Sequence, residues 1–360
     1  MRFITPVSGT MIHVTDEKIA KGQNVIHCVI DAPEYYKLQI NGTPCIYRGG
    51  YWYLSVPLSE EKTVLQAKSL LTGECIESTV WRIYTPKKIY RVSIDDGVWF
   101  LQDIARNQEK YRTIFDSPYL SLLKKLHEEY GTKFHINIYN EFPEHGGFEL
   151  SEMTDRFKEE WMSVNDWLTL HFHAKADSPG YPYSIADRKT VFTDCKQVMD
   201  QVERFAGYRG AVTTLHFAET TEDGVRGLYD CGVRALLGDF SLSKSGHIQL
   251  CYQATKEEFE VVRKFGFWKN PKTDMIMFCC DTVLNSYAPS EIEQELDWFS
   301  YMYPERSFMD ILIHEQYFYE DYHHYLPDYE QRLRTGIEWC IRHGFEAGLV
   351  KDVLGEQYLK

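Results

Sequence analysis

The residues with the clearest chemical potential stand at the ends of short apolar, strand-like runs that follow residue 88. The first run ends in the adjacent pair Asp95 and Asp96, and a late one ends in His314 followed by Glu315. Other runs also end in polar or ionisable residues, namely Asn140, Glu141, His171, His173, His216, Asp239 and Asp281. Taken singly, each has an ordinary explanation, since adjacent aspartates before a glycine commonly form a turn. Their recurrence at strand ends predicts a site.

Histidine nitrogens and carboxylate oxygens together suit a divalent ion, and Zn²⁺ is the ion that most often takes such a set. A bound ion of this kind lowers the pKa of its water into the neutral range. A second carboxylate could then take a proton from that water, and a separate histidine could protonate the leaving group. The residue types therefore predict metal-assisted hydrolysis, with Zn²⁺ as the favoured cofactor.

Eight strand-like runs, separated by amphipathic helical runs, must position these residues. The runs are residues 89–94, 133–139, 167–172, 211–217, 233–238, 274–280, 310–314 and 345–350. This alternation predicts repeated βα units with a mainly parallel sheet, in an α/β fold that closes or nearly closes into a (β/α) barrel. The carboxyl ends of barrel strands open onto one mouth, so the strand-end residues should meet there.

Residues 1–86 have a different texture, with short β-type runs, turns such as Asn41-Gly42 and almost no helical periodicity. They predict a small N-terminal all-β sandwich domain of immunoglobulin-like type, followed by the barrel at residues 88–360. No set of residues in this segment suggests chemistry. Packing on the barrel, pairing of subunits in a homo-oligomer and carbohydrate binding remain open as its role.

Charge and composition exclude several kinds of partner. The net charge is -14 and no lysine or arginine cluster is present, which excludes a nucleic-acid partner and slightly favours a neutral or cationic substrate. No apolar run approaches the roughly 20 residues that span a bilayer, so no membrane partner is expected. The first residues lack the basic and apolar segments of a signal peptide, and the nine cysteines lack CxxC spacing. The sequence therefore predicts a cytoplasmic protein.

Three segments carry a family resemblance: Ser93–Gly97, Leu170–His173 and Ile311–Glu315. The first reads Ser-Ile-Asp-Asp-Gly, similar to the Thr-Phe-Asp-Asp-Gly strand end of the polysaccharide deacetylases, the NodB-homology domains of carbohydrate esterase family four. The last reads Ile-Leu-Ile-His-Glu and is similar to their Ile-Leu-Leu-His-Asp strand. The middle segment occupies the place of their metal-binding histidine motif. The resemblance covers residues 88–360.

This resemblance implies a distorted (β/α) barrel, often of seven rather than eight strands, that removes an N- or O-acetyl group from a carbohydrate. Carried over residue by residue, it implies that Asp95 is the general base. It implies that Asp96 is the carboxylate metal ligand and that His314 is the general acid.

The histidines depart from the H-x3-H spacing of that family. If the strand continues through residue 173, His171 and His173 share a face and both are predicted ligands. If it turns there, His173 and Asp177 lie about one helical turn apart and could bind together. His216 ends a strand near the place of the family's Arg-Pro-Pro-Tyr-Gly motif and is predicted as a further ligand or a substrate contact.

Substrate contacts are predicted at Trp99, Tyr317 and Tyr319, whose rings follow strand ends and could stack on sugar faces, and at Asp177. Two alternative functions stay open. One is a carbohydrate-binding barrel protein without catalysis. The other is a glycoside hydrolase with two carboxylates about 5 to 10 Å apart, for which Asp95 and Glu315 are the candidates.

Overall fold

A computed structural model describes residues 1–144, 146–178 and 180–359. The strands within these residues are β1 (Arg2–Thr5), β2 (Thr10–Val14), β3 (Val25–Asp31), β4 (Leu38–Ile40), β5 (Thr43–Pro44), β6 (Ile46–Arg48), β7 (Tyr51–Pro57), β8 (Lys62–Ser69), β9 (Cys75–Tyr84), β10 (Lys88–Gly97), β11 (Phe134–Tyr139), β12 (Leu168–Ala174), β13 (Val212–Thr213), β14 (Ala235–Gly238), β15 (Ser241–Leu242), β16 (Ile248–Gln249), β17 (Phe267–Lys269), β18 (Ile276–Cys279), β19 (Thr282–Val283), β20 (Phe308–His314) and β21 (Phe345–Ala347).

The α-helices are α1 (Asp16–Ala20), α2 (Trp99–Asn107), α3 (Pro118–Tyr130), α4 (Lys158–Ser163), α5 (Arg188–Ala206), α6 (Glu222–Asp230), α7 (Lys256–Phe265), α8 (Pro289–Met302), α9 (Tyr329–Arg342) and α10 (Val350–Leu354). Among the short 3-10 helices, His216–Ala218 and Glu315–Phe318 each contain a residue predicted for the site. None of the helices in the described parts of the chain combines the length and apolarity needed to cross a membrane.

The N-terminal strands lie in two sheets. One has the order β1-β3-β7-β6, and the other contains β2, β9, β8, β4 and β5. Alternating residues such as Ile26, Cys28 and Ile30 on β3 are buried and contribute to a shared core. The second sheet continues beyond this segment, because β17 pairs with β2 through Phe267 and Met11. The immunoglobulin-like interpretation and the boundary at residue 86 stay predictions.

Two groups of parallel strands form the rest of the molecule. The first is a sheet of order β12-β11-β10-β20-β19 with β21 also paired to β10, and the second is the parallel run β13-β14-β18. Apolar helix faces cover them, as in α5, whose buried residues recur at helical spacing from Val191 to Ala206. The predicted α/β class with parallel strands is confirmed.

The two groups do not join, so a closed sheet does not form among the described strands. At one junction β13 has two residues, and the backbone turns through left-handed conformations at Phe217 and Ala218 soon afterwards. At the other, the chain leaves β18 at Cys279 and enters β19, which belongs to the other sheet. A closed barrel is therefore not confirmed, although the strand ends still converge.

Candidate functional site

The adjacent residues Asp95 and Asp96 end β10 in different environments. Asp95 lies opposite His314 in the pairing of β10 with β20, and it is buried. Asp96 has a φ of +60°, a left-handed conformation that aspartate tolerates better than most residues. The two carboxylates consequently contact different groups and are available for different roles.

A cluster of three potential metal ligands forms around Asp96. Its Oδ1 lies 3.1 Å from Nε2 of His173 and 3.4 Å from Nδ1 of His216. One ligand atom from each of the three residues lies within 4.8 Å of the other two. The side chains of His173, His216 and Asp96 are 2%, 12% and 13% exposed. Within the described residues, this group is the one arranged to hold a metal ion.

The orientation of the His173 ring favours a cation at this position. Its Nδ1 donates a hydrogen bond to the carbonyl oxygen of Thr214 at 2.5 Å. The neutral ring therefore presents the lone pair of Nε2 to the Asp96 carboxylate, a repulsive contact unless a proton or metal ion lies between them. Metal-binding histidines commonly donate their other ring N–H to a backbone carbonyl in this way. The donor set therefore fits a divalent ion.

The electrostatics of the cluster keep Asp96 ionised. Burial raises the pKa of Asp96, but hydrogen bonds from His173 and His216 outweigh burial and hold the pKa well below its usual value. Burial likewise lowers the pKa of His173, but the carboxylates of Asp95 and Asp96 outweigh it and the pKa is raised. An ionised carboxylate beside two imidazoles is the mixed oxygen and nitrogen set that Zn²⁺ takes.

Two residues that the sequence did not single out orient the Asp96 carboxylate. The Tyr139 hydroxyl donates to Oδ1, and Nε2 of Gln316 donates to Oδ2 at 2.6 Å. Burial, followed by the Asp96 charge, raises the pKa of Tyr139 well above its usual value, so the hydroxyl stays a donor. The available signal was position: Tyr139 ends a strand, and Gln316 follows His314 by two residues.

Two asparagines hold Asp95 and His314. Nδ2 of Asn137 donates to Oδ1 of Asp95 at 2.7 Å. Nδ1 of His314 lies 2.9 Å from Oδ1 of Asn285, which also accepts from the backbone N–H of His314. Because that oxygen is an acceptor, Nδ1 carries a hydrogen and Nε2 is left to exchange a proton.

The structure does not bring His171 or Asp281 to the cluster. His171 shares a strand face with His173 but lies one pleat deeper, about 6.6 Å along the strand, where it stacks on His135 with ring centroids 3.6 Å apart. Burial lowers the pKa of His171 to about 3 and keeps the ring neutral. Asp281 is buried in an ion pair with Arg306 at 2.6 Å, away from any role as a ligand.

A cavity of about 390 Å³ adjoins the cluster, and several of the predicted residues line it. Its walls include Asp96 and His216 together with the predicted substrate contacts Trp99 and Asp177. Asp177 lines the cavity, where partial loss of solvent raises its pKa and the nearby carboxylates of Glu144 and Asp96 raise it further. The concave shape beside the cluster is what a substrate site requires.

The two predicted tyrosines lie beside this cavity rather than in its wall. Tyr319 stacks on Trp99 with ring centroids 4.9 Å apart, and its hydroxyl donates to Oε1 of Glu315 at 2.7 Å. Tyr317 packs edge-on against Tyr322 at 5.2 Å. Tyr319 is therefore placed to fix the orientation of the Trp99 ring.

Glu315 caps the helix α2. Its Oε2 accepts from the backbone N–H groups of Val98 and Trp99, and its Oε1 accepts from Phe100 N–H and the Tyr319 hydroxyl. A carboxylate at a helix N-terminus satisfies unpaired N–H groups and complements the helix dipole. These contacts therefore do not favour the interpretation in which Glu315 and Asp95 form a glycoside hydrolase pair.

Replacing Glu315 with glutamine is expected to lower the free energy of unfolding by about 2 kcal/mol, since either amide orientation turns an NH₂ group toward a backbone N–H donor. Urea denaturation measures the loss. Glu260→Gln, at an exposed position on α7, is the matched control and should change stability by less than about 0.5 kcal/mol. Equal denaturation midpoints for Glu315→Gln and the unsubstituted protein would rule out the capping role.

Comparison with known proteins gives structural likenesses alone. No family model and no curated protein matches the chain. A CE4 family pseudoenzyme from Bacillus anthracis is 11% identical with a TM-score of 0.39, covering 77% of this chain and 69% of its own. A family 4 acetyl xylan esterase from Clostridium thermocellum, in complex with a cobalt ion, is 11% identical with a TM-score of 0.42, covering 76% and 93%.

The 4-alpha-glucanotransferase from Thermococcus litoralis is 14% identical with a TM-score of 0.47, and the likeness covers 76% of this chain. This chain spans 40% of that protein. All three TM-scores lie below 0.5, so they carry no argument about function, which rests on the side chains described above.

Proposed function

We propose that this site performs a metal-dependent hydrolysis that removes an acyl group, N- or O-acetyl, from a carbohydrate. The observation that carries the proposal is the cluster of Asp96, His173 and His216, with one ligand atom of each within 4.8 Å of the others. Its three donors match those of catalytic zinc sites, which have three protein ligands and leave a further position open.

Asp96, His173 and His216 would hold the ion, and Thr214 and Gln316 would orient two of these ligands through their hydrogen bonds. When bound, a divalent ion supplies Lewis acidity toward the acyl carbonyl and acidifies the attacking water. The remaining chemistry falls to side chains of the chain itself.

Asp95 is proposed as the general base. Asn137 engages its Oδ1, and no donor among the described residues engages Oδ2. That oxygen is available to take the proton of the attacking water. His314 is proposed as the general acid, because Nδ1 is committed to Asn285 and Nε2 can pass a proton to the departing amine or alkoxide.

Trp99, Asp177, Tyr317 and Tyr319 are proposed as substrate contacts. Trp99 and Asp177 line the cavity, which supports direct contact for both. Tyr319 would act through the Trp99 ring on which it stacks. A flat indole at a cavity wall offers a sugar ring an apolar face.

Removal of the metal tests the proposal. The purified protein is expected to bind roughly one zinc ion, and to release acetate from N-acetylated amino-sugar oligomers. Dialysis against a chelator should abolish acetate release, and added Zn²⁺ or Co²⁺ should restore it, because the acidified water requires the ion. A sample dialysed without chelator is the control. If the purified protein binds the oligomers but contains no metal and releases no acetate, the inactive carbohydrate-binding alternative is favoured instead.

A further inference from the structure

Two aromatic side chains next to the cluster are exposed to solvent and stack on each other. Tyr181 and Phe217 are 50% and 38% exposed, and their rings lie 4.1 Å apart between centroids with planes 20° apart. Tyr181 lies in the loop between β12 and α5, and Phe217 lies in the 3-10 helix that follows β13. The stack therefore joins loops that follow two different strands.

This stack is continuous with the proposed site. The ring of Phe217 lies 4.3 Å from the ring of His216, between centroids, and it also contacts the ring of Tyr181. The same two loops supply Asp177 and His216 to the wall of the cavity. Within the described residues, Phe217 is the one ring that stacks on Tyr181. The opposite face of the Tyr181 ring is therefore the one that remains open to solvent.

The backbone is strained at both aromatic residues. The φ angle is +54° at Tyr181 and +62° at Phe217, in the left-handed region that bulky side chains rarely adopt. Such conformations cost free energy, and they are concentrated at active sites and at sites that hold ligands. Burial offsets little of this cost, because both rings stay exposed to solvent. A ligand therefore explains the arrangement better than packing does.

Buried contacts hold the loop that carries Tyr181. The hydroxyl of Tyr183, a residue that is 1% exposed, accepts from the backbone N–H of Lys175 at 2.9 Å and donates to the Asp194 carboxylate at 3.0 Å. The carbonyl oxygen of Tyr181 accepts from the backbone N–H and the hydroxyl of Ser184 at 3.3 and 3.2 Å. The exposed ring is consequently preformed, which lowers the cost of ordering it when a ligand binds.

The position of the open face indicates which part of a substrate it would contact. The rings of Phe217 and His216 lie between Tyr181 and the proposed ion, so the open face cannot reach an acyl group held at that ion. A flat, largely apolar ring face with a polar edge is complementary to the C–H face of a sugar ring. The geometry therefore requires a substrate with more than one sugar ring.

We infer that Tyr181, supported by Phe217, forms a second carbohydrate-binding position, which takes a further sugar ring of the oligomer whose acylated residue lies at the metal cluster. The inference rests on the proposed function and narrows its substrate class to oligomeric or polymeric carbohydrates, as opposed to monosaccharides.

Substrates of different length test this second position in the zinc-loaded protein. The probes are N-acetylglucosamine, which has one ring, and fully N-acetylated chitotetraose. We expect kcat/KM for the tetramer to exceed that for the monomer, and Tyr181→Ala to lower the tetramer-to-monomer ratio about tenfold. Tyr181→Phe should keep the ratio of the unsubstituted protein, because the ring face remains.

Tyr301→Ala is the matched control, because it removes an aromatic ring that is 83% exposed on α8, outside the cavity wall. It should leave the ratio unchanged. Tyr181→Ala should also keep the zinc content of the unsubstituted protein. An equal loss of kcat/KM for both probes, or a loss of zinc, would overturn the inference, because the ring would then support the metal site rather than bind a sugar.

Calorimetric binding of the tetramer separates this inference from the proposed function, because binding does not require hydrolysis. Acetate release with the same length dependence in Tyr181→Ala and in the unsubstituted protein would overturn the second position and leave hydrolysis standing. No acetate release, with tetramer binding that Tyr181→Ala weakens and Tyr181→Phe does not, would overturn the hydrolytic function and leave the second position standing. Neither acetate release nor tetramer binding would overturn both.

Discussion

Asp96→Asn is expected to lose bound metal and acyl hydrolysis together. The substitution removes the one anionic ligand of the cluster, and asparagine tolerates the φ of +60° at this position, so the fold should persist. Without this ligand, metal affinity should fall on the order of 10³-fold. Hydrolysis at ordinary zinc concentrations should fall to background.

Metal analysis after gel filtration and an acetate-release assay measure both effects. Asp274→Asn is the matched control, because Asp274 also has a left-handed backbone, with a φ of +62°, and pairs with Lys269 outside the cavity. It should keep both metal and activity. Stoichiometric zinc in Asp96→Asn would show that Asp96 is not a ligand, and unaltered hydrolysis would remove the basis of the proposed function.

The position of the site could be predicted because chemistry-bearing residues at the ends of parallel strands converge on one edge. Asp96, His173 and His216 came from three different strand ends and lie together. The distance of each histidine from the edge where the strands end could not be predicted. Alternation along a strand assigns His171 and His173 to one face, but it does not tell which of the two lies level with the cluster. His171 therefore lies beneath the cluster, against His135.

The hydrogen bonds that orient Asp95 and Asp96 could not be predicted from the sequence, for a different reason. Tyr139, Asn137 and Gln316 are uncharged, and nothing in their local pattern marks them as partners of Asp95 and Asp96. Their contacts join residues far apart in the chain, as between Gln316 and Asp96. Similarly, the capping role of Glu315 depends on the place where α2 begins relative to β20.

Fold class followed from the alternation of strand-like and helical runs, but closure of the sheet did not. Periodicity locates runs without stating how long each one stays extended. The predicted strand at 211–217 shortens to β13, and the 3-10 helix His216–Ala218 follows, with left-handed conformations at Phe217 and Ala218. His216 begins that short helix and lies beside His173, at 3.0 Å between ring nitrogens, so a residue beyond the end of β13 contributes directly to the cluster.

Asp95→Asn is expected to separate chemistry from metal binding. Asparagine keeps the shape of Asp95, and its amide oxygen can still accept the hydrogen bond from Asn137, so the local structure should remain. It cannot accept a proton from water at neutral pH. The loss of a general base predicts a fall in kcat of about 10² to 10⁴-fold.

Zinc content and substrate affinity show whether the fall in kcat of Asp95→Asn comes from the loss of a general base or from the loss of metal or substrate binding. Asp95 is outside the group of three potential ligands, so Asp95→Asn should retain the zinc of the unsubstituted protein, in contrast with Asp96→Asn. It should also bind the acetylated oligomer with near-normal affinity, because an unreactive site still holds its substrate.

Loss of zinc in Asp95→Asn would make Asp95 a ligand rather than a base. An unchanged kcat would transfer the role of base to another group, and His314, paired opposite Asp95 across β10 and β20, would be the next candidate.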